Sequence, residues 1–105
     1  MHWIYLAAAI VFEVLGTLAL KQLALSGKSI WWLAVLCGYI ISFSLMAIAM
    51  KKIDLGVAYA IWAGFGTATI ALLGWLVFQE IMTLQKVIAI SLIILGTIML
   101  KVQAP

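Results

Sequence analysis

Four long apolar stretches most constrain what this 105-residue chain can fold into. They cover about residues 3–22, 30–50, 55–78 and 84–102. Each approaches the roughly 20 apolar residues that an α-helix needs to cross a hydrocarbon core about 30 Å thick. Charged residues make up 9% of the chain, against about 25% in soluble domains. We therefore predict an all-α integral membrane protein, a four-transmembrane-helix bundle that forms a single domain over residues 1–105.

The connections between these stretches are short, namely "QLALSGKS", "KKID" and "QEIMT". They leave no room for a soluble domain between two crossings. The apolar runs are continuous, whereas the strands of an outer-membrane barrel alternate apolar and polar residues. The opening "MHWIYLAAAIVFEVLG" has no Lys or Arg ahead of its apolar run, so we expect no cleaved signal peptide.

The residue types that support covalent or metal chemistry are scarce. Cys37 is the only cysteine, so it cannot form an intramolecular disulfide and has no metal-ligand partner at a useful spacing. The sequence contains no phosphate-binding glycine loop. The net charge of +3 is too small for a nucleic-acid surface. We expect a protein that is not an enzyme and has no cofactor, metal site or nucleic-acid partner.

Glu13 lies close to the middle of the first apolar stretch. A charge at that depth costs about 2.5 to 3.5 kcal/mol, so the carboxylate should face protein or water. At helical spacing its stripe contains mostly small or polar residues, which leave space for a ligand: Leu6, Ala9, Ile10, Gly16 and Thr17. Glu13 is therefore a candidate site for exchanging a proton for a cation. The alternative is a neutral carboxyl that is hydrogen-bonded between helices for packing.

The third stretch carries an aromatic face. Tyr59, Trp62, Ala63 and Gly66 follow the i, i+3, i+4, i+7 pattern of one helix face. Aromatic rings attract organic cations, so this face is a candidate cavity lining, and core packing is the alternative. Gly64 and Gly66 mark the position where this helix would bend. A similar set in the second stretch could complete the lining: Tyr39, Ser42 and Phe43.

The six lysines are divided equally between the two sides of the membrane. With four crossings, one side receives Lys51, Lys52 and Lys101, and the other receives Lys21, Lys28 and Lys86. The positive-inside rule therefore selects no orientation. We expect the chain to insert both ways, so that two copies of opposite orientation can pair. The alternative is that one lysine dominates and fixes the orientation.

The fourth stretch offers a candidate dimer contact. Ala89 and Gly96 are seven residues apart and lie on one helix face. Small residues at such positions let a second helix approach closely. The alternative is that small residues are simply common in membrane helices.

Two motifs resemble the small multidrug resistance family of transporters: "EVLGTLALK" in the first stretch and "GVAYAIWAGFG" in the third. The resemblance covers the whole chain and implies an antiparallel dimer in a bacterial cytoplasmic membrane. The first three helices of each subunit would surround a cavity, and the fourth would form the dimer contact. Protons and substrate would compete for Glu13. Tyr59 and Trp62 would line the cavity beside Thr17, Ser42, Tyr39 and Phe43, and the pair Gly64 and Gly66 would form the bend.

The resemblance favours one branch of the family. Gly16 and Thr17 follow the acidic motif where the guanidinium branch carries a tryptophan. Two residues depart from the multidrug branch, since Asp54 stands where that branch usually has a proline and Ala63 where it tends to have a serine. The run "IDLGVAYA" resembles the branch whose two different subunits pair to export polyamines. The balanced lysines favour a homodimer. We therefore expect a proton-coupled exporter of hydrophobic and quaternary-ammonium cations. The alternatives are a subunit of a heterodimeric spermidine exporter, a guanidinium exporter and a non-transport membrane subunit.

Overall fold

The computed structural model describes residues 2–103, which form four α-helices. These are α1 (His2–Ser26), α2 (Trp31–Ala49), α3 (Leu55–Phe78) and α4 (Leu84–Gln103). All four are long and apolar enough to cross a membrane. The prediction of an all-α, four-helix membrane architecture is therefore confirmed.

The first helix continues beyond the predicted end at about residue 22, as far as Ser26. It stops at Gly27, which has φ +68° and whose N–H donates to the Leu23 carbonyl at 2.8 Å. A glycine in the left-handed conformation is a common end of a helix. The segment before it contains Leu and Ala, both good helix formers, so nothing stops the helix earlier.

The first three helices share the apolar core. α1 packs along α2, and α3 packs on both α1 and α4. The core cluster consists of buried apolar side chains from these helices and the α2–α3 connection: Leu6, Ala9, Met46, Ala49, Ile53, Ala58 and Ile61. In α4 the buried residues are Ile90 and Thr97, whereas α1 buries five residues. α4 therefore presents most of its surface to lipid or to another chain.

Glycines set the closest helix contacts. A Cβ atom at Gly38 would lie 2.8 Å from the Cα atom of Gly16, so α1 and α2 approach at a distance that side chains would prevent. A Cβ atom at Gly64 would lie 2.8 Å from the Thr97 Cγ2 atom of α4. α3 is a continuous α-helix through Gly64 and Gly66, and the predicted bend at these residues stays a prediction.

Candidate functional site

The Glu13 carboxyl is held by a short chain of hydroxyl groups. The Thr17 hydroxyl, one turn further along α1, donates to Glu13 Oε1 at 3.4 Å. The same hydroxyl lies 2.6 Å from the Tyr39 hydroxyl of α2. A threonine hydroxyl has one proton to donate, so when it donates to Glu13 it accepts the proton of Tyr39. Glu13, Thr17 and Tyr39 therefore form one polar connection between α1 and α2.

The other carboxyl oxygen of Glu13 lies against Gly66 of α3. A Cβ atom at Gly66 would be 2.6 Å from Glu13 Oε2, so only a glycine leaves room for the carboxyl in this position. Within residues 2–103, Oε2 is the single buried side-chain nitrogen or oxygen without a hydrogen-bond partner. Leaving such an atom unsatisfied costs about 1 to 3 kcal/mol. A proton or a bound cation would satisfy it.

The groups around Glu13 differ from the usual ligand set of a metal ion. No group of three or more His, Cys, Asp or Glu side chains comes together within the described part of the chain. Metal sites in proteins are built from several such ligands. Glu13 instead lies beside the Thr17 hydroxyl and against Gly66.

A second polar connection joins the three core helices. Ser42, which is fully buried, donates its hydroxyl proton to the Ala9 carbonyl at 2.6 Å. It accepts the indole N–H of Trp62 at 3.1 Å. This bond fixes the position of the Trp62 ring, because the ring must keep its N–H directed at Ser42.

The fixed indole ring has two further aromatic rings as neighbours. The ring centroids of Phe43 and Tyr59 each lie 5.6 Å from that of Trp62. We call Phe43, Tyr59 and Trp62 the aromatic trio. Phe43 is 58% exposed and Tyr59 55% exposed, so the trio has open ring surface available to a ligand or a partner chain.

The predicted α1 stripe is divided between two neighbouring helices. Glu13 meets α3 at Gly66, whereas Gly16 meets α2 at Gly38. Ala9 is fully buried, and the partly buried Ile10 packs on the same core. The small size of Ala9 and Gly16 thus serves the contact with α2. In this structure the room beside the carboxyl comes from Gly66, which the sequence places only on the aromatic face and at the bend.

The remaining predicted residues lie at the edges of the site or outside it. Ala63 is partly buried, and its carbonyl accepts the Thr67 hydroxyl at 2.6 Å. Ala89 and Gly96 are exposed on α4, and a Cβ atom at Gly96 would meet no atom within 4 Å. Their predicted dimer contact stays a prediction. Gly38 was missed, because only the three-dimensional crossing pairs it with Gly16.

Known proteins resemble this chain over nearly its whole length. The family model described as Small Multidrug Resistance protein matches residues 1–93. Three relatives come from Bacillus subtilis (strain 168). The uncharacterized membrane protein YvaE is 41% identical over 101 residues, which are 96% of this chain and 85% of the relative. The multidrug resistance protein EbrB is 41% identical over 99 residues, 93% of this chain and 84% of the relative.

The third relative, the probable guanidinium efflux system subunit GdnD, is 36% identical over 102 residues, 97% of each chain. The names of these relatives differ in substrate, so the likeness specifies the family and not the transported compound. With four helices of membrane-spanning length and a family match over most of its residues, the chain is a multi-pass membrane protein that belongs to the small multidrug resistance family of transporters.

Proposed function

We propose that this protein is a proton-coupled antiporter that exports hydrophobic and quaternary-ammonium cations across the bacterial cytoplasmic membrane. The observation that carries the proposal is Glu13 Oε2, a buried carboxyl oxygen without a hydrogen-bond partner among the described residues. An ionisable group inside a membrane helix is costly and is typically functional. Here it has one oxygen held by Thr17 and the other available to a proton or a cation.

The transport cycle follows from the two charge states of Glu13. The ionised carboxylate attracts an organic cation, and the faces of the aromatic trio add cation–π attraction of about 2 kcal/mol or more when desolvated. Protonation removes the negative charge, so the cation leaves. If the site opens to one side of the membrane at a time, proton entry from outside drives cation release there.

The working unit we propose is an antiparallel homodimer. A single chain is a thin slab, with Cα extents of 44 × 35 × 17 Å, and a helix with its side chains is already about 10 to 12 Å across. Such a slab has too little depth to enclose a solute on all sides. A second copy would close a cavity over the exposed rings of Tyr59 and Phe43 and would bring a second Glu13 to it.

A second candidate function is supported by the relatives. GdnD is named as a subunit of a guanidinium efflux system and aligns over 97% of both chains, which favours an exporter built from two different chains. The "IDLGVAYA" run resembles the polyamine branch and supports the same assembly with a different substrate. Gly16 and Thr17, which follow the acidic motif where the guanidinium branch carries a tryptophan, support the multidrug assignment instead.

Transport by the chain alone in liposomes tests the proposal. A quaternary ammonium compound, a guanidinium compound and spermidine are offered in parallel under a proton gradient. We expect the quaternary ammonium compound to be exchanged for protons, and Glu13→Gln to lose this exchange because the amide cannot be ionised. Asp54→Asn is the matched control, since it makes the same chemical change at an exposed position and should retain transport. Proton-driven export of the quaternary ammonium compound by Glu13→Gln at the wild-type rate would contradict the proposal.

The dependence of cation binding on pH provides an independent prediction. The cation binds the ionised form of Glu13, so its affinity should fall as the pH is lowered through the titration of this carboxyl. Equilibrium binding of tetraphenylphosphonium, followed by tryptophan fluorescence over a pH series, measures this. An affinity that is constant over the whole series would contradict competition between protons and substrate.

A further inference from the structure

A second carboxylate, that of Glu80, lies just beyond the C-terminal end of α3 in an arrangement similar to that of Glu13. The backbone N–H of Glu80, just beyond α3, donates to the Gly74 carbonyl at 3.1 Å. Its side chain folds back over Gly74, where an added Cβ atom would collide with Glu80 Oε1 and lie 3.1 Å from Cδ. Glu80 therefore rests on Gly74 as Glu13 rests on Gly66.

A cavity connects the surroundings of these two carboxylates. Gly66 and Gly74 are eight residues apart, which is about 12 Å along a helix. A cavity of about 330 Å³ between α1 and α3 begins at Thr17, the hydrogen-bond partner of Glu13, and reaches Glu80. The rest of its lining is mostly apolar: Leu18, Leu20, Ala24, Ile70 and Phe78. The cavity thus has Glu80 at one end, Thr17 at the other and an apolar middle, and Glu13 lies just beyond Thr17 without lining it.

The outer end of the cavity also carries a positive charge. Lys21 lines it, and Lys86 donates from Nζ to the Ile81 carbonyl at 2.5 Å. Within residues 2–103 no lysine nitrogen lies within 4.0 Å of a carboxylate oxygen, so Glu80 is not held in a salt bridge. A ligand cation at Glu80 would be repelled by the charge of Lys21, which lines the same cavity.

We propose that Glu80 is an outer cation subsite, which binds the second charged group of an elongated dication while the first occupies Glu13. The apolar middle of the cavity would contact the chain that links the two charges. This inference rests on the proposed role of Glu13 and adds a substrate class to it: linear α,ω-dications whose charges are about 12 Å apart. Lys21 would oppose such substrates and so set a limit on their affinity.

The test compares three permanently charged cations in liposomes that contain the reconstituted chain. Decamethonium is long enough to span the two carboxylates, hexamethonium is too short, and tetraphenylphosphonium carries one charge. The measured quantity is the KM of each dication relative to that of tetraphenylphosphonium. We expect Glu80→Gln to raise this ratio for decamethonium about fivefold, the upper end for an exposed ion pair, and to change it little for hexamethonium.

Two further variants separate the charge of Glu80 from its position. Gly74→Ala keeps the charge and displaces the carboxylate, so it should raise the decamethonium ratio in the same direction. Lys21→Gln removes the opposing positive charge and should lower the decamethonium ratio. Asp54→Asn, at the other end of α3, is the control and should leave the ratio unchanged. Elution of each variant as the wild-type oligomer in detergent shows that it is folded.

The outcomes distinguish the inference from the function on which it rests. A wild-type chain that carries none of the three cations overturns both. Tetraphenylphosphonium transport without decamethonium transport overturns the inference alone. So does an unchanged ratio in Glu80→Gln and Gly74→Ala. An equal loss of all three cations in Glu80→Gln also overturns it, because Glu80 would then serve transport in general.

Discussion

At the scale of single residues, the site depends on a carboxyl and a glycine that are distant in sequence and in contact in space. Glu13 Oε2 lies where a Cβ atom at Gly66 would be only 2.6 Å away. The side chain therefore reaches α3 without displacing it, and the Thr17 hydroxyl holds the other oxygen. Substituting Gly66 would change the position of the charge without removing it.

Gly66→Ala tests this positioning. The methyl group would displace the carboxyl from α3, and we expect the dissociation constant of tetraphenylphosphonium to rise about tenfold, equivalent to about 1.4 kcal/mol. Titration calorimetry in detergent measures it. Gly56→Ala, in the same helix, is the matched control because a Cβ atom there would meet nothing within 4 Å. Wild-type affinity in Gly66→Ala would contradict the positioning role.

The sequence predicts part of this site and misses another part for a physical reason. Glu13 and Thr17 are four residues apart, so helical periodicity alone places them together. Trp62 was predicted on the aromatic face from its spacing, but its bond to Ser42 depends on how α2 and α3 pack. Gly66 shares a face with Trp62 in any helix. Its contact with Glu13 requires the crossing of α1 and α3, which no local pattern contains.

At the scale of helices, α1 and α2 pack along each other through glycine backbone contacts. A Cβ atom at Gly38 would lie 2.8 Å from Gly16 Cα and 3.0 Å from the Phe12 carbonyl oxygen. These are backbone atoms, which cannot move without separating the helices. Helices in a membrane associate through such close van der Waals packing. The contact also positions Tyr39, one residue after Gly38, against Thr17.

Gly38→Ala should therefore weaken the packing of α1 on α2. We expect the free energy of unfolding to fall by about 1 to 3 kcal/mol, the usual cost of overpacking. Denaturant titration in mixed micelles measures it. Gly56→Ala again serves as the control. It should unfold at a denaturant concentration at least as high as the wild type does, because alanine is a better helix former than glycine. A Gly38→Ala protein as stable as the control would show that the helices can separate at little cost.

At the scale of the whole molecule, the thin slab and the exposed α4 leave surfaces that a second chain could cover. The 17 Å thickness and the exposure of Gly96, whose added Cβ would meet nothing within 4 Å, agree with a unit completed by a partner. The lysines are balanced, three on each side of the membrane, which agrees with insertion in both orientations. How two copies would fit together cannot be read from one chain, because the contacts belong to both.

Ser29→Lys tests whether the function needs both orientations. Ser29 is exposed in the connection between α1 and α2. The added charge changes the balance from three against three to four against three. By the positive-inside rule, we expect most copies to place this connection in the cytoplasm and transport to fall severalfold, whereas Ser29→Gln should change neither. Labelling of a cysteine tag after residue 105, in a Cys37→Ser background, measures the orientation.

Co-expression separates a loss of orientation balance from damage to the chain. Lys28→Gln lowers the lysine count of the same side to two and should bias the chain in the opposite direction. Each variant alone would supply one orientation, so the two together should restore transport in the membrane that contains both. A Ser29→Lys protein of one orientation that transports at the wild-type rate would rule out an antiparallel unit. If the co-expressed pair does not restore transport, the loss in the single variants comes from a folding defect instead.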